Sequence, residues 1–373
     1  MEIGKPYKVT LAGELGVIES LLKVMLEKNM VDMVLGTEAK KNLANLKPTT
    51  IEKANDVGEM HMDAYLAFDF AKTDSSAKYI HKKMNGALTN KVGAFGRPCD
   101  LRALVELHKR RQVNLDNIIL IGIEEYGRLD PKLMRKFFKK EGIDASNLTG
   151  VIMKQDKVIM ELGNESREFP FGKTINIGRN CANCTSKTAM KSDITVNFLT
   201  GDPILTVNSK KGLDVIEQAG DYLSFKASSV DTSKLLQEIE SKGRQRQLEE
   251  IQAFRDLPTE QKIKALGKCT MCGLCIRSCP VCFCVDCIIQ KKRKEKAIDN
   301  FTYQLTRISH IADTCIQCGR CDSICPVNLP LNIYFNDIAM KLEEKYGYVA
   351  GRSLDENTPR SDVDGLKKRL NAR

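Results

Sequence analysis

The chain has 373 residues, 42% of them hydrophobic, enough for two or three compact units with apolar cores, and no stretch approaches the length of an apolar membrane span. Met1 to Leu11 lacks the apolar run and small-residue pattern of a secretory signal, so a cytoplasmic address is expected. The 58 Lys and Arg against 48 Asp and Glu give +10, but no aromatics are interleaved with the basic residues for base stacking, which argues against nucleic-acid binding.

The first 225 residues alternate strand-like apolar runs with helical patterns. Leu11 to Asn29 places Leu15, Ile18, Leu21, Leu22, Val24, Met25 and Leu26 on one helical face, and Val31 to Leu35 then reads as a strand. Lys91 to Phe95 and Ile118 to Ile123 are further strands, each beside a helical segment (Leu101 to Arg111, Pro131 to Glu141), an α/β layer pattern. Val151 to Leu162 reads as a hairpin around Gln155 to Lys157. Ile194 to Phe198, Ile204 to Val207 and Tyr222 to Lys226 read as strands, and Lys210 to Gln218 as a helix.

Ser233 to Phe254 is charged, with apolar residues at Leu235, Leu236, Ile239, Leu248 and Ile251, and so reads as a connecting helix. The expected organisation is α+β: an N-terminal α/β domain over residues 1–230, a connecting helix over 231–256, a mostly helical domain over 257–346 in which C-x2-C-x2-C-x3-C-P occurs twice, a ferredoxin-type signature, and a polar tail over 347–373. The tail is expected to be loose or wrapped on a partner.

Eleven of the fourteen cysteines lie between Cys269 and Cys325, too closely and regularly spaced for a disulfide framework, so metal ligation in a reducing compartment is the better reading. Cys269, Cys272, Cys275 and Cys279 with Pro280 spell C-x2-C-x2-C-x3-C-P, and Cys315, Cys318, Cys321 and Cys325 with Pro326 spell it again. Three thiolates on one tight loop cap three corners of a cubane, while the fourth cysteine reaches the other cubane. The first [4Fe–4S] centre is therefore expected on Cys269, Cys272, Cys275 and Cys325, and the second on Cys315, Cys318, Cys321 and Cys279. A zinc site wants paired C-x2-C knuckles around a longer loop. Two such centres with four thiolates each bring the net charge to roughly +6.

Cys282, Cys284 and Cys287 remain beside the first motif. They are either most of a third iron–sulfur site, completed by Cys181 or Cys184, or free thiols packed as small apolar groups. Lys291, Lys292, Arg293, Lys294 and Lys296 are either a solvated helix face or a docking surface for an acidic partner. His61, His81, His108 and His310 form no spaced ligand group. His310, five residues before Cys315, is expected to tune a centre by hydrogen bonding.

Phe95-Gly96-Arg97-Pro98-Cys99-Asp100 ends a strand and opens a helix, where backbone N–H groups can hold phosphate or a ring edge, or simply form a turn. The order of this Pro-Cys-Asp turn, Asn114 to Gly122, and Cys181-Ala-Asn-Cys184 resembles the coenzyme F420 hydrogenase/dehydrogenase beta-subunit family. The Cys279-Pro-Val-Cys-Phe-Cys-Val-Asp-Cys287 run, with Arg307 to Cys325 and Pro330, looks like the methanogen-type formate dehydrogenase branch of it.

That resemblance implies FAD beside Gly16, Gly96, Pro98, Cys99 and Asp100, hydride exchange with coenzyme F420, and electron flow to a partner catalytic oxidoreductase subunit. Two departures stand out. Glu14-Leu15-Gly16 replaces the family's Cys-Gly-Gly turn. The family's N-domain cluster is matched only at Cys181 and Cys184, its other positions falling near Glu124-Glu125 and Val196-Asn197. These departures raise a second expectation, a flavin-less wiring adaptor between redox subunits such as those of a heterodisulfide reductase-type complex.

Overall fold

The computed structural model describes residues 1–71 and 73–360. In chain order the strands are β1 (Pro6–Leu11), β2 (Met33–Ala39), β3 (Leu46–Ile51), β4 (Val92–Gly96), β5 (Ile118–Glu124), β6 (Leu148–Met153), β7 (Lys157–Leu162), β8 (Glu165–Pro170), β9 (Ile194–Asn197), β10 (Ile204–Val207) and β11 (Leu223–Ala227). Eight of them form one sheet in the order β11-β1-β10-β9-β5-β4-β2-β3, and β6-β7-β8 form a small antiparallel sheet.

The middle of the large sheet is parallel: β2, β4, β5 and β9 run side by side in one direction. Every residue of β4, β5 and β9 is buried, as expected of parallel strands covered on both faces, whose sequences lose the alternation of half-exposed strands. In register, Phe95 faces Ile121 and Glu124 faces Asn197. The residues that follow β4 and β5, Arg97 to Cys99 and Glu125, therefore emerge on one carboxyl edge, where open α/β sheets bind ligands.

The helices of this half are α1 (Val17–Glu27), α2 (Met62–Phe68), α3 (Ser76–Lys83), α4 (Pro98–Lys109), α5 (Pro131–Glu141), α6 (Arg179–Ala182) and α7 (Lys210–Glu217). A 25-residue helix, α8 (Thr232–Asp256), leads into the cysteine-rich half. There follow α9 (Thr259–Gly267), α10 (Leu274–Arg277), α11 (Ile288–Lys294), α12 (Asn300–Ile311), α13 (Arg320–Ser323) and α14 (Leu331–Tyr346). None of the described helices is long and apolar enough to cross a membrane.

The cysteine-rich half covers the carboxyl edge of the sheet. Asn180 Nδ2 donates to the Gly319 carbonyl at 3.1 Å, Asn332 Nδ2 to Asn180 Oδ1 at 2.7 Å, and Arg128 Nη2 to Ser323 Oγ at 3.0 Å. Gly319 is required twice over: its φ is +67°, and a Cβ there would lie 2.1 Å from the Asn180 side chain.

The tail differs from expectation. Residues 347–360 pack on this chain itself, because the buried Glu106 carboxylate on α4 draws them in. Its Oε1 accepts from Tyr348 Oη at 3.2 Å and the Gly351 amide at 2.7 Å, while Arg102 donates to the Ala350 carbonyl at 2.8 and 3.0 Å. The polar composition is thus that of a segment whose backbone satisfies buried charge. Residues 361–373 of the expected tail lie outside the described residues.

Candidate iron–sulfur site

The two cysteine motifs adopt the same backbone. Met271 and Gln317 have φ of +50° and +59°, and Gly273 and Gly319 of +77° and +67°. The left-handed pairs curl each loop back toward its own sulfurs before the four-residue helices α10 and α13 begin. Amide donors reach sulfur in both: Met271 N lies 3.2 Å from Cys269 Sγ, and Leu329 N lies 3.3 Å from Cys325 Sγ. Such N–H···S bonds suit thiolates that carry charge.

Packing brings the cysteines of the two motifs together, Cys321 lying in the same cluster as Cys269, Cys275 and Cys325. Cys325 belongs to the same apolar cluster as Cys269 and Cys275, together with Leu266, Tyr303 and Phe335. Cys279 packs instead with Val281 and Ile316 in the cluster that also contacts Cys318. Burial pushes the Cys279 thiol well up, with Cys282, Cys318 and Cys315 adding to the rise and Arg307 opposing it. Burial likewise pushes Cys315 and Cys321 up to about 12, each helped by neighbouring cysteines of the second motif. Burial thus keeps these thiols protonated without metal, and iron binding would displace their protons.

The side chains between the loops fit that demand. Gln304 Nε2 donates to Cys269 Sγ at 3.0 Å and lies 3.9 Å from Cys275 Sγ. Arg307 is 2% exposed, stacks at 5.2 Å over Phe335 and donates to the Cys275 carbonyl at 3.2 Å, yet its Nε and Nη1 are buried without a partner. Although burial opposes its charge, Cys321, Cys275 and Cys279 together hold its pKa above the usual arginine range. Orphaned guanidinium donors facing cysteines of both motifs suit two anionic centres. His310, expected to tune a centre, is exposed instead; the sulfur contact is made by Gln304, earlier on α12. Among the described residues no three His, Cys, Asp or Glu side chains converge as a single mononuclear ion would require.

The residues expected to hold flavin do not share one cavity. Gly16 opens on a cavity of about 380 Å³ with Glu19, His61 and Asp63. Pro98 and Cys99 line a smaller one at the carboxyl edge, about 50 Å³, with Glu125, Cys181, Cys184 and Cys318. Gly96 is buried in β4 against Asp100 Cβ and Leu101, and Asp100 is buried beside the Ala77 amide, from which it accepts a hydrogen bond at 3.4 Å. Gly16 and the Pro98–Cys99 turn therefore share no single cavity that fits FAD.

The composite third site divides in the same way. Cys181 and Cys184 face Cys99 in the edge cavity, while Cys282, Cys284 and Cys287 line a separate cavity on the far side of Cys279. The physical reason is α8, whose Gly243 approaches so close that a Cβ would lie 2.4 Å from the Cys184 carbonyl, fixing that loop against the connecting helix.

No spacing signalled the buried ion-pair group at the junction. Asp69, 2% exposed, pairs with Arg320 at 2.7 Å, Arg97 at 3.3 Å and Arg128 at 3.5 Å. Arg97 also reaches Glu125 at 2.8 Å and lies over the Tyr65 ring at 4.4 Å.

At the Gly16 cavity, burial pushes the Glu19 carboxyl up to about 7, helped by the Asp63 charge and opposed by its backbone hydrogen bonds. A folded-state value above the unfolded one means that the native state holds the extra proton, so stability falls as pH rises between about 4.5 and 7 and is level above. Glu19→Gln is expected to raise the melting temperature at pH 8 and to leave it unchanged near pH 4, as thermal melts at the two pH values will read.

Comparison with known proteins follows this geometry. Residues 89–233 match the family model for the C terminus of the coenzyme F420 hydrogenase/dehydrogenase beta subunit, and residues 265–329 match the 4Fe-4S dicluster domain. The F420-dependent formate dehydrogenase subunit beta of Methanocaldococcus jannaschii is 28% identical over 379 residues, spanning 92% of this chain and 93% of that one. The chain thus carries the region that this family model describes and is similar to such beta subunits over most of its length. A second similar protein, the F420-dependent formate dehydrogenase 1 subunit beta of Methanococcus maripaludis, is 26% identical, with 92% of each chain covered. A chain of the F420-reducing [NiFe] hydrogenase complex from Methanosarcina barkeri shares the fold at a TM-score of 0.52 and 13% identity, covering 67% of this chain and 93% of that one.

Proposed function

We propose that this chain is the iron–sulfur electron-transfer subunit of a multi-subunit oxidoreductase of the formate dehydrogenase beta type, carrying electrons in the cytoplasm between a partner catalytic subunit and coenzyme F420 or another redox partner. The observation that carries the reading is the close packing of the two cysteine loops on each other: Cys279 feels the Cys315 and Cys318 sulfurs, and Cys325 shares one apolar cluster with Cys269, Cys275 and Cys321, which supports an exchange of fourth cysteines. Each bound [4Fe–4S] group supplies one-electron chemistry. Within that scheme Cys269, Cys272, Cys275 and Cys325 hold one centre and Cys315, Cys318, Cys321 and Cys279 the other. Gln304 and the Met271 and Leu329 amides hold the sulfurs in place, and Arg307 offsets negative charge between the loops.

Purification under anaerobic conditions with the partner subunits tests this. About eight or more irons per chain are expected; fewer would sink the two-centre assignment. The exchange is read separately: Cys325→Ser is expected to leave the same residual EPR spectrum as Cys269→Ser, and Cys279→Ser the same as Cys315→Ser. An uncrossed pair of spectra would refute it.

A second reading, the flavin-less adaptor, is favoured by one observation: Gly16 opens on a different cavity from Pro98 and Cys99. Flavin content of the purified complex decides between the two. Stoichiometric FAD with reduction of coenzyme F420 supports the flavoprotein form, and absence of both supports the adaptor.

A further inference from the structure

The void beside the first cysteine loop measures about 320 Å³. It is a cleft open to the surface, with room for a group of several atoms. Three cysteines from one six-residue stretch, Cys282, Cys284 and Cys287, line it, and Cys279, Arg307 and His310 stand in its wall. All three thiols are free, and the stretch carrying them is irregular from Cys282 to Asp286, the short helix α11 starting only after Cys287.

The chemistry of this lining narrows its occupant. Three thiols are soft ligands, suited to zinc, copper(I) or iron–sulfur groups. Three thiolates would carry negative charge, and Arg307, 2% exposed, meets them with two buried donors that have no protein partner. No three ligating groups among the described residues converge on the single point that a mononuclear ion occupies. An iron–sulfur group takes its thiols on separate irons and has no need of such convergence, and the cleft has room for one.

We infer that Cys282, Cys284 and Cys287 hold an additional cubane iron–sulfur cluster in this cavity, with the fourth iron left to a non-cysteine ligand, for which His310 is the candidate. Each thiol gives up its proton on ligation. Because Cys279 forms part of the same wall, the added centre borders the second ferredoxin-type centre. At the loop tip Val285 is 98% exposed and Cys284 is exposed, so the added centre is the one nearest the surface on this side. Its role as an exit from the wire rests on the two-centre reading above; its existence as a metal site does not.

Two measurements on the full-length protein, prepared anaerobically and reconstituted with iron and sulfide, test the site. The first needs no variant: brief alkylation of the native protein with iodoacetamide, read by mass spectrometry. Cys282, Cys284 and Cys287 are expected to stay unlabelled until the clusters are destroyed, despite the exposure of Cys284. Rapid labelling of Cys284 in protein that retains eight irons overturns the site and leaves the two-centre reading standing. The second is the variant C282S/C284S/C287S, expected to hold about four fewer irons than the parent and to keep the EPR signals of the two ferredoxin-type centres. Equal iron in variant and parent overturns the site.

Discussion

Asp69→Ala is expected to destabilise the protein by about 3–5 kcal/mol, the range for a buried ion pair that loses one partner, and to make the second iron–sulfur centre labile. Asp69 is the only carboxylate that pairs with Arg320 among the ion pairs of the described residues, and it shares Arg97 and Arg128 with it in one buried group. Removing it leaves Arg97 with Glu125 but leaves Arg320 with the Asp74 carbonyl, at 2.7 Å, and the Asp100 charge nearby. Arg320 follows Gly319 and precedes Cys321, so its displacement is felt directly in the loop of the second motif. Asp69 also sits at φ +65°, ψ 179°, a conformation that a side-chain-bearing residue keeps only where its surroundings enforce it.

The pH dependence carries the same signature. Burial alone would raise the Asp69 pKa, but the Arg320, Arg97 and Arg128 guanidiniums outweigh it and hold it below the usual carboxylate range. A depressed folded-state value means that its stabilisation is complete above about pH 4 and is lost as pH falls through the folded-state value. Melts of parent and Asp69→Ala are therefore expected to differ most at neutral pH and to converge in acid. An exposed pair supplies the control: Lys8 and Asp202, 2.6 Å apart at the surface, are expected to be worth under about 1 kcal/mol. Equal losses from the two sites would refute a special role for Asp69.

The contrast between the two halves of the chain explains what could be read from residues alone. The cysteine motifs are legible because iron ligation dictates spacing: one residue of slip would move a sulfur off its corner. The central strands are legible for a different reason, since burial on both faces leaves Val-Gly-Ala-Phe-Gly and Ile-Ile-Leu-Ile-Gly-Ile as unbroken apolar runs. Strands β1, β3 and β8 are not legible in this way because they lie at or near sheet edges and carry lysine, threonine, proline and glutamate. The Asp69 group could not be seen at all: its partners lie 28, 59 and 251 positions away, and no local pattern announces a pair that only the tertiary fold brings together. Likewise Gln304 has no sequence signature as a sulfur ligand's partner, whereas His310, the more conspicuous residue, is exposed.

Arg307→Met is expected to lower the reduction potentials of both ferredoxin-type centres, and by more than any other single substitution outside the cysteines. Reduction adds negative charge to each centre, so a buried cation between them favours the reduced form. A unit charge at roughly 7 Å in an effective dielectric of about 20 is worth about 2 kcal/mol, which corresponds to on the order of 100 mV for one electron. Methionine keeps an apolar stem against Phe335, where Arg307 now stacks, so packing changes little. Arg307→Lys retains the charge and should recover most of the potential, an outcome that a merely structural role would not produce. Gln304→Leu is the discriminating companion. Its amide touches Cys269 and Cys275 only, so it should shift the first centre and leave the second unmoved, whereas Arg307 faces Cys275, Cys279 and Cys321 together. EPR-monitored redox titrations of the three variants read this directly. Two potentials falling together in Arg307→Met and one alone in Gln304→Leu would locate the guanidinium between the centres; unchanged potentials in Arg307→Met would mean that its charge is spent on folding and not on the wire.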